Sequence, residues 1–380
     1  MSGGGAERPL VAAALLCAGT GTRLQPLTTR WAKPALPFMG RPLVASALRC
    51  AQRAGVAPGA IAANAAHEAA GMLACLRGLE PQATLVHEEP HRGTGGGVRG
   101  MLDALHDRLG AWPDLLVVVN GDIVCDVDLR SVIAAHVASG AAATLVVVPP
   151  AAGEAGIPVD TTTGRVLALP AHGGWHRAPG GADSGRFVAT GHESPGLGAA
   201  RRDDADSGRF VATGHESHRT GGTPGADSGR FVATGHESPD LGAARTRTFA
   251  GISVLGGEAL EAVLRLPLQP PTCLIRDALG PLVAADGHVA AWDHGGFWSD
   301  VGTPDRLLTA MERILRTPAD VRLALGMSRT LAEGERATLP GGATIVGPAL
   351  VSDDIDAGAG AVLGPDVVLT GRCRVAPGVT

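Results

Sequence analysis

The sequence predicts an α/β protein: a Rossmann-like, mostly parallel mixed sheet flanked by helices, followed by a short left-handed parallel β-helix. Three observations predict this. Apolar runs of strand length alternate with helical patterns through the first 150 residues, as parallel strands covered by helices on both faces require. Glycine loops and acidic turns close several of these runs, at the strand ends where such sheets hold ligands. From residue 345 two apolar positions recur every six residues with Gly and Pro between them, the signature of a coil with three flat faces.

The elements follow in order. "LVAAALLCAG" (10–19) is a buried strand running into the loop "GTGTR". It resembles a secretion leader only superficially, because its charged lead-in is weak and Leu16 is bulky before Cys17. Residues 42–54 form a helix with Leu43, Ala47, Leu48 and Ala51 on one face. Strands follow at 83–89, 114–122 and 142–149, with helices at 97–109 and 128–139. "TRTFAGISVL" (246–255) is a further strand, and 296–315 is a turn and an amphipathic helix carrying Leu307, Leu308, Met311 and Leu315. In the tail, Ile345, Val351, Ala357, Leu363, Leu369 and Val375 hold one phase, and Ala349, Ile355, Ala361, Val367, Cys373 and Val379 hold the other. This is about two coils at three faces each, expected to be truncated or docked on a partner at the open end.

One segment breaks the pattern. ADSGRFVATGHES occurs three times, at 182–194, 205–217 and 226–238. Unequal spacing excludes a solenoid, and one Phe-Val-Ala per copy is too little to pack a core. A mobile Gly-rich surface insert is expected over 178–245, its GHE triplets solvated rather than metal-binding.

Composition narrows the function. The formal net charge is −5 and the arginines are scattered among acids, which excludes a basic face for nucleic acid. Tyrosine is absent and aromatics total 3%, too few for a base-stacking platform. No run has the length of a membrane span. Six cysteines without a CxxC spacing suit a reducing cytoplasm rather than disulfides or zinc. The chain has one lysine among 32 basic residues, Lys33. GC-rich coding would explain the scarcity, but not the place.

"GTGTR" is neither a Walker A loop nor a dinucleotide fingerprint, since Leu24 stands where the third glycine would be. "GGGVRG" (95–100) matches G-x-G-x-x-G but follows a loop. What remains is a Gly-rich loop with Arg23, then Lys33, and two acids, Asp122 and Asp300, at turns after apolar runs. Backbone amides with two cations suit a triphosphate, and two carboxylates from distant turns suit Mg²⁺. No Ser-His-Asp or Cys-His order supplies a protein nucleophile, so the parts fit phosphoryl-type transfer. Singly, Arg23 also reads as a surface charge, Asp122 as a turn residue, Asp300 as a cap for the helix near Pro304, and Trp298 as core.

"CAGTGTRLQPLTTRWAKPALPF" (17–38), "EEPHRGTGGGVRGML", "VVNGDIVCDVDL", "TFAGISVL" and "FWSDVGTPDRL" follow one another in the order of the sugar-1-phosphate nucleotidylyltransferases (NDP-sugar pyrophosphorylases), which the chain resembles over 10–150 and 246–316. That resemblance implies a catalytic domain at 8–316, a linker at 317–338 and the family's β-helix at 339–380. It implies NTP and sugar 1-phosphate as substrates, Mg²⁺ as cofactor, no nucleic-acid or membrane partner, and admits a homo-oligomer. Arg23 would hold the leaving phosphates and Lys33 the α-phosphate, and Asp122 and Asp300 would carry the metal. Cys17, Ala18, Gly19, Gly21, Thr22, Gly93 and Thr94 would line the nucleotide, Glu88 would read the base edge, and Asn120, Gly251 and Trp298 would meet the sugar.

Among family members the tail and "KPALPF" lean towards mannose-1-phosphate guanylyltransferase-like proteins, and a Glu88 carboxylate would accept from guanine N1–H and N2–H. Uridylyl or thymidylyl transfer, and a non-catalytic sensor subunit on the same fold, are the alternatives. Acyl transfer by the tail is disfavoured, since residues 339–380 contain no His. One departure concerns the sugar. The Glu-Lys pair that many relatives carry after the fifth strand is absent from "GIPVDTTTGRV" (156–166), leaving Asp160 or Arg165 as substitutes.

Overall fold

A computed structural model describes residues 9–151, 156–172, 174–178, 244–327, 330–352 and 354–380; the triplicated segment lies outside them. The central sheet comprises β1 (Val11–Leu16), β2 (Ile61–Ala65), β3 (Thr84–His87), β4 (Leu115–Asn120), β6 (Ala143–Val148), β7 (Ile157–Asp160), β8 (Ala244–Gly256) and β9 (Val289–Asp293). Its order is β9-β6-β8-β4-β1-β2-β3, with β7 paired to β8. β5 (Ile123–Cys125) and β10 (Trp298–Asp300) form a separate antiparallel ribbon. β1 pairs in parallel with β2 and β4, and β3 with β2. β8 runs antiparallel between β4 and β6, which makes the sheet mixed, as expected.

Helices α1 (Val44–Arg53), α2 (Ala69–Leu79), α3 (Gly93–Leu109), α4 (Leu129–Ser139) and α5 (Gly257–Arg265) cover the sheet, and α6 (Pro304–Leu315) packs in a second core. Leu76, Met101, Leu102, Leu105, Leu116 and Leu145 are almost fully buried in its main core.

Several elements depart from the sequence reading. β2 was not legible, because "IAANA" has one β-branched residue. It is a strand because all five residues are buried between β1 and β3, where small side chains fit close strand packing. α3 begins at Gly93 rather than 97. Its glycines cost helix propensity, but close approach demands them: a Cβ at Gly95 would stand 2.7 Å from Thr272 Oγ1, and one at Gly97 2.6 Å from Asn64 Nδ2. The insert boundary at 245 moves inward, since β8 starts at Ala244, opposite Asp160.

The tail pairs in parallel at a constant offset of eighteen residues. Thr344 lies opposite Val362, Ala349 opposite Val367 and Ile355 opposite Cys373, so each coil comprises three hexads. Ile355, Ala357, Ala361 and Leu363, from both phases, form its core, while Val379 is exposed. The linker is shorter than expected. After a helix at Ala319–Ala324, Thr330–Leu331 and Arg336–Thr338 pair antiparallel with the first coil.

A second core joins this tail to the segment before α1. Leu24, Leu36, Phe38, Met39, Val301, Ile314 and Leu350 are buried together, so the loop bearing Arg23 and Lys33 is held between the sheet and the tail.

Candidate active site

The predicted residues gather at the carboxyl ends of the strands. The loop after β1 turns at Gly21, whose φ of 63° is left-handed and whose Cβ, if present, would stand 2.8 Å from Lys33 Cβ. Glycine there is a requirement of both backbone and space. Leu24 is fully buried and fixes the turn, leaving the two residues before it, Thr22 and Arg23, exposed.

Lys33 begins a short 3-10 turn, Lys33–Ala35, with its side chain 8% exposed. Its Nζ lies 2.6 Å from Asp122 Oδ2 and 3.8 Å from Asp300 Oδ1. The two acids come together because Asp122 immediately precedes β5 and Asp300 ends β10, where Asp300 pairs with Ile123. Arg306 donates to Asp300 Oδ2 at 3.0 Å from the first turn of α6. Gly302 lies between Arg23 and Asp300: a Cβ there would be 3.5 Å from Arg23 Nη2 and 3.2 Å from Asp300 Oδ2. The structure thus brings Arg23, Lys33, Asp122 and Asp300 to one place. Asp300 is not the cap of α6; Thr303 is, accepting from Arg306 N.

Two partly shielded carboxylates already share a monocation. Hard oxygen donors in that arrangement suit Mg²⁺, which takes one or two protein carboxylates and completes its shell with substrate phosphate and water. Among the described residues no third His, Cys, Asp or Glu joins them.

The nucleotide side has a buried support that sequence reasoning missed. Cys17 N donates to Asn64 Oδ1 at 2.7 Å, and Asn64 Nδ2 donates to Glu88 Oε1 at 2.7 Å. Glu88 Oε2 accepts from Arg92 N at 3.0 Å. Glu88 is 2% exposed with both oxygens engaged. Here the carboxylate ties the β1 loop to the start of α3 instead of standing open, and a place at the base edge stays a proposal. The one available signal for Asn64 was a lone amide inside an apolar strand, where a buried polar group must find a partner.

Gly93 has φ 72° and is pressed against Thr272 O, with no room for a side chain. Thr94 is exposed, and its Oγ1 accepts from Leu274 N. Cys17 and Ala18 are buried and Gly19 is exposed with open space at its Cβ position. Burial, reinforced by Asp122, pushes the Cys17 thiol well above its ordinary range, so it is no nucleophile.

On the remaining side, β8 carries a register shift between Phe249 and Ser253. Gly251 lies within it at φ 77°, and a Cβ there would be 2.8 Å from Asn120 Nδ2. Trp298 is half-buried, its Nε1 donating to Ala250 O at 2.9 Å. Asn120, Gly251 and Trp298 therefore form one wall. The proposed substitutes for the missing Glu-Lys pair are held by local partners. Asp160 Oδ1 accepts from Thr162 N, Thr163 N and Thr163 Oγ1, and Arg165 is bound to Asp286.

A family model described as Nucleotidyl transferase matches residues 12–156, which include every site residue through Asp122. The chain is 25% identical over 373 residues to a protein named probable mannose-1-phosphate guanylyltransferase 3 of Oryza sativa subsp. japonica, covering 97% of this chain and 78% of that one. It is 26% identical over 336 residues to the mannose-1-phosphate guanyltransferase of Aspergillus fumigatus, covering 88% and 71%. Among solved structures, HddC from Yersinia pseudotuberculosis shares the fold with a TM-score of 0.50 at 15% identity, over 80% of this chain and 99% of that one. The family model, the near-full-length relatives and the order of the five motifs agree: residues 12–156 carry a nucleotidyl transferase domain, and along nearly its whole length the chain is similar to sugar-1-phosphate nucleotidylyltransferases of the NDP-sugar pyrophosphorylase kind.

Proposed function

We propose that the chain transfers GMP from GTP to mannose 1-phosphate, releasing pyrophosphate, with Mg²⁺ held by Asp122 and Asp300. The chemistry rests on one observation, the Lys33 ammonium shared between those carboxylates. The choice of guanine and mannose rests on the names of the long relatives, since Glu88 is turned inward.

In this reaction an oxygen of the sugar phosphate attacks the α-phosphorus in line. The new O–P bond forms as the bond from the α-phosphorus to the bridging oxygen breaks, and pyrophosphate leaves with that electron pair. The attacking oxygen is already anionic near neutral pH, so no general base is required. Mg²⁺ would neutralise charge on the phosphate oxygens. Lys33 supplies a compact positive charge at the α-phosphate, Arg23 and the loop amides receive the leaving phosphates, and the Asn120–Gly251–Trp298 wall receives the sugar. Catalysis is then positioning and charge stabilisation.

The same proposal includes a left-handed sense for the eighteen-residue coil, supported by its hexad pattern, and a reducing, cytoplasmic setting, supported by six free cysteines. The test is pyrophosphate release from four NTPs against a panel of sugar 1-phosphates, with Mg²⁺ and with EDTA. GTP with mannose 1-phosphate should be the best pair. A better UTP or dTTP pair would overturn the base and sugar, and no turnover with any pair would favour the sensor reading.

A further inference from the structure

We infer that His294 and Asp126, neither of which touches the reacting groups, are positioning residues that set the ribbon carrying Trp298 and Asp300. This rests on the assignment of those two residues to sugar and metal.

The ribbon is short. β5 and β10 pair over three residues each, Trp298 with Cys125, Ser299 with Val124 and Asp300 with Ile123. Three residue pairs do not hold a strand orientation by themselves. One end leads to Asp122 and Asp300. At the other end the chain arrives from β9 through His294-Gly-Gly-Phe297 and must turn immediately into Trp298.

The contacts at that turn are specific. Asp126 N donates to Phe297 O at 3.1 Å, extending the ribbon by one step. His294 Nε2 stands 3.0 Å from Asp126 Oδ1 and 3.2 Å from Phe297 O, with the two side chains 10% and 14% exposed. The imidazole therefore spans both strands of the ribbon. The contact to Oδ1 has ion-pair distance without good hydrogen-bond direction, and this buried oxygen has no other partner among the described residues. The His–Asp contact thus spares a buried carboxylate oxygen complete isolation, which is costly. His294 is itself anchored to the sheet, its N donating to Val147 O at 2.8 Å. Gly296 has no room for a side chain, since a Cβ would enter contact distance of Asp126 Oδ1 and stand 2.8 Å from His294 Cε1. The preceding residue, Asp293, holds Arg245 and Arg247 of β8. Two consecutive residues at the end of β9 thus tie down both the strand that carries Gly251 and the ribbon that carries Trp298 and Asp300.

A role confined to this ribbon predicts a split. The sugar and metal side should suffer, while the nucleotide loop, built from β1, Asn64, Glu88 and α3, should not. His294→Leu should raise the KM for sugar 1-phosphate and the Kd for Mn²⁺ alone, read by electron paramagnetic resonance, by about 10-fold or more, the usual size for outer-sphere partners of a ligand. The NTP KM should stay within about 2-fold. Hydrogen–deuterium exchange should rise in the 295–300 segment. His294→Gln, whose amide can still donate to Phe297 O and lie against Asp126, should recover most of each effect. Asp126→Asn, which keeps shape and loses charge, serves if His294→Leu does not fold, and should show the same split. A uniform loss that includes the NTP KM, or unchanged Mn²⁺ binding and unchanged exchange at 295–300, overturns the inference. If the wild type proves inactive with every substrate pair, the functional reading fails while exchange at 295–300 still decides the role of His294.

Discussion

Lys33→Arg keeps the charge and changes its shape, which separates two accounts of the chain's lone lysine. If positive charge is all that position 33 needs, arginine should serve there as it does nearly everywhere else. The structure predicts otherwise. Nζ lies 2.6 and 3.8 Å from two carboxylates that approach from different strands, and the side chain is 8% exposed. Its stem is fixed, because Gly21 packs on Lys33 Cβ with no space for a side chain of its own. A guanidinium is longer, planar and directed as a fork, so it must displace a carboxylate or project over the cleft. Either way one preorganised charge is lost from the transition state, at a cost of about 10²–10³ in kcat, or roughly 2.7–4 kcal/mol.

Folding should be affected less. Breaking a fully buried pair costs about 3–5 kcal/mol, but Asp122 and Asp300 are 28% and 21% exposed and Arg306 remains on Asp300; the cost of Lys33→Met is therefore about 1–2 kcal/mol, nearer the surface range. Lys33→Met should also bind Mn²⁺ at least as tightly as the wild type, because the competing ammonium is gone, while kcat still falls. The assay is steady-state pyrophosphate release, with Tm and Mn²⁺ binding measured on the same samples. A Lys33→Arg enzyme within a few-fold of wild-type kcat would refute the reasoning.

Asp122→Asn and Asp300→Asn should each lower kcat by about 10²-fold or more and weaken Mn²⁺ binding; activity that survives either change, or EDTA, would remove the metal from the scheme. Gly251→Ala forces a left-handed residue to carry a Cβ 2.8 Å from Asn120 Nδ2, a strain of about 1–3 kcal/mol, so the KM for sugar 1-phosphate should rise at least several-fold while the NTP KM holds. His136, whose Nδ1 meets Thr144 Oγ1 at 2.9 Å in the core, has its pKa lowered by burial and by His288. The unfolded chain then binds the proton more readily than the folded one, so stability should decline as pH falls below about 6.5; the urea midpoint of His136→Gln should fall less between pH 7 and 5.5.

What was legible in the sequence, and what was not, divides along a physical line. Lys33, Asp122 and Asp300 could be picked out by their chemistry, two carboxylates and a cation, and Gly21 and Gly251 by the motifs they lie in; at both glycines a positive φ coincides with no room for a Cβ. β1 and β4 were legible because burial on both faces leaves an unbroken apolar run. β2 was not, since alanine by itself favours helix and only the neighbouring strands make this segment a strand. Glu88 shows the deeper limit. A carboxylate near a nucleotide loop has the acceptors of a base-reading group, and composition cannot distinguish that from a buried tie. The difference lies in Asn64, twenty-four residues earlier, and in Arg92 N, a backbone group no sequence pattern displays. The same holds for His294, which reaches Asp126 from far along the chain. Residues proposed to meet substrate announce themselves by chemical type, whereas residues that hold them in place are defined by partners the fold alone supplies. For that reason the specificity of this enzyme is better sought in the wall of Asn120, Gly251 and Trp298 and its supports than in any further motif.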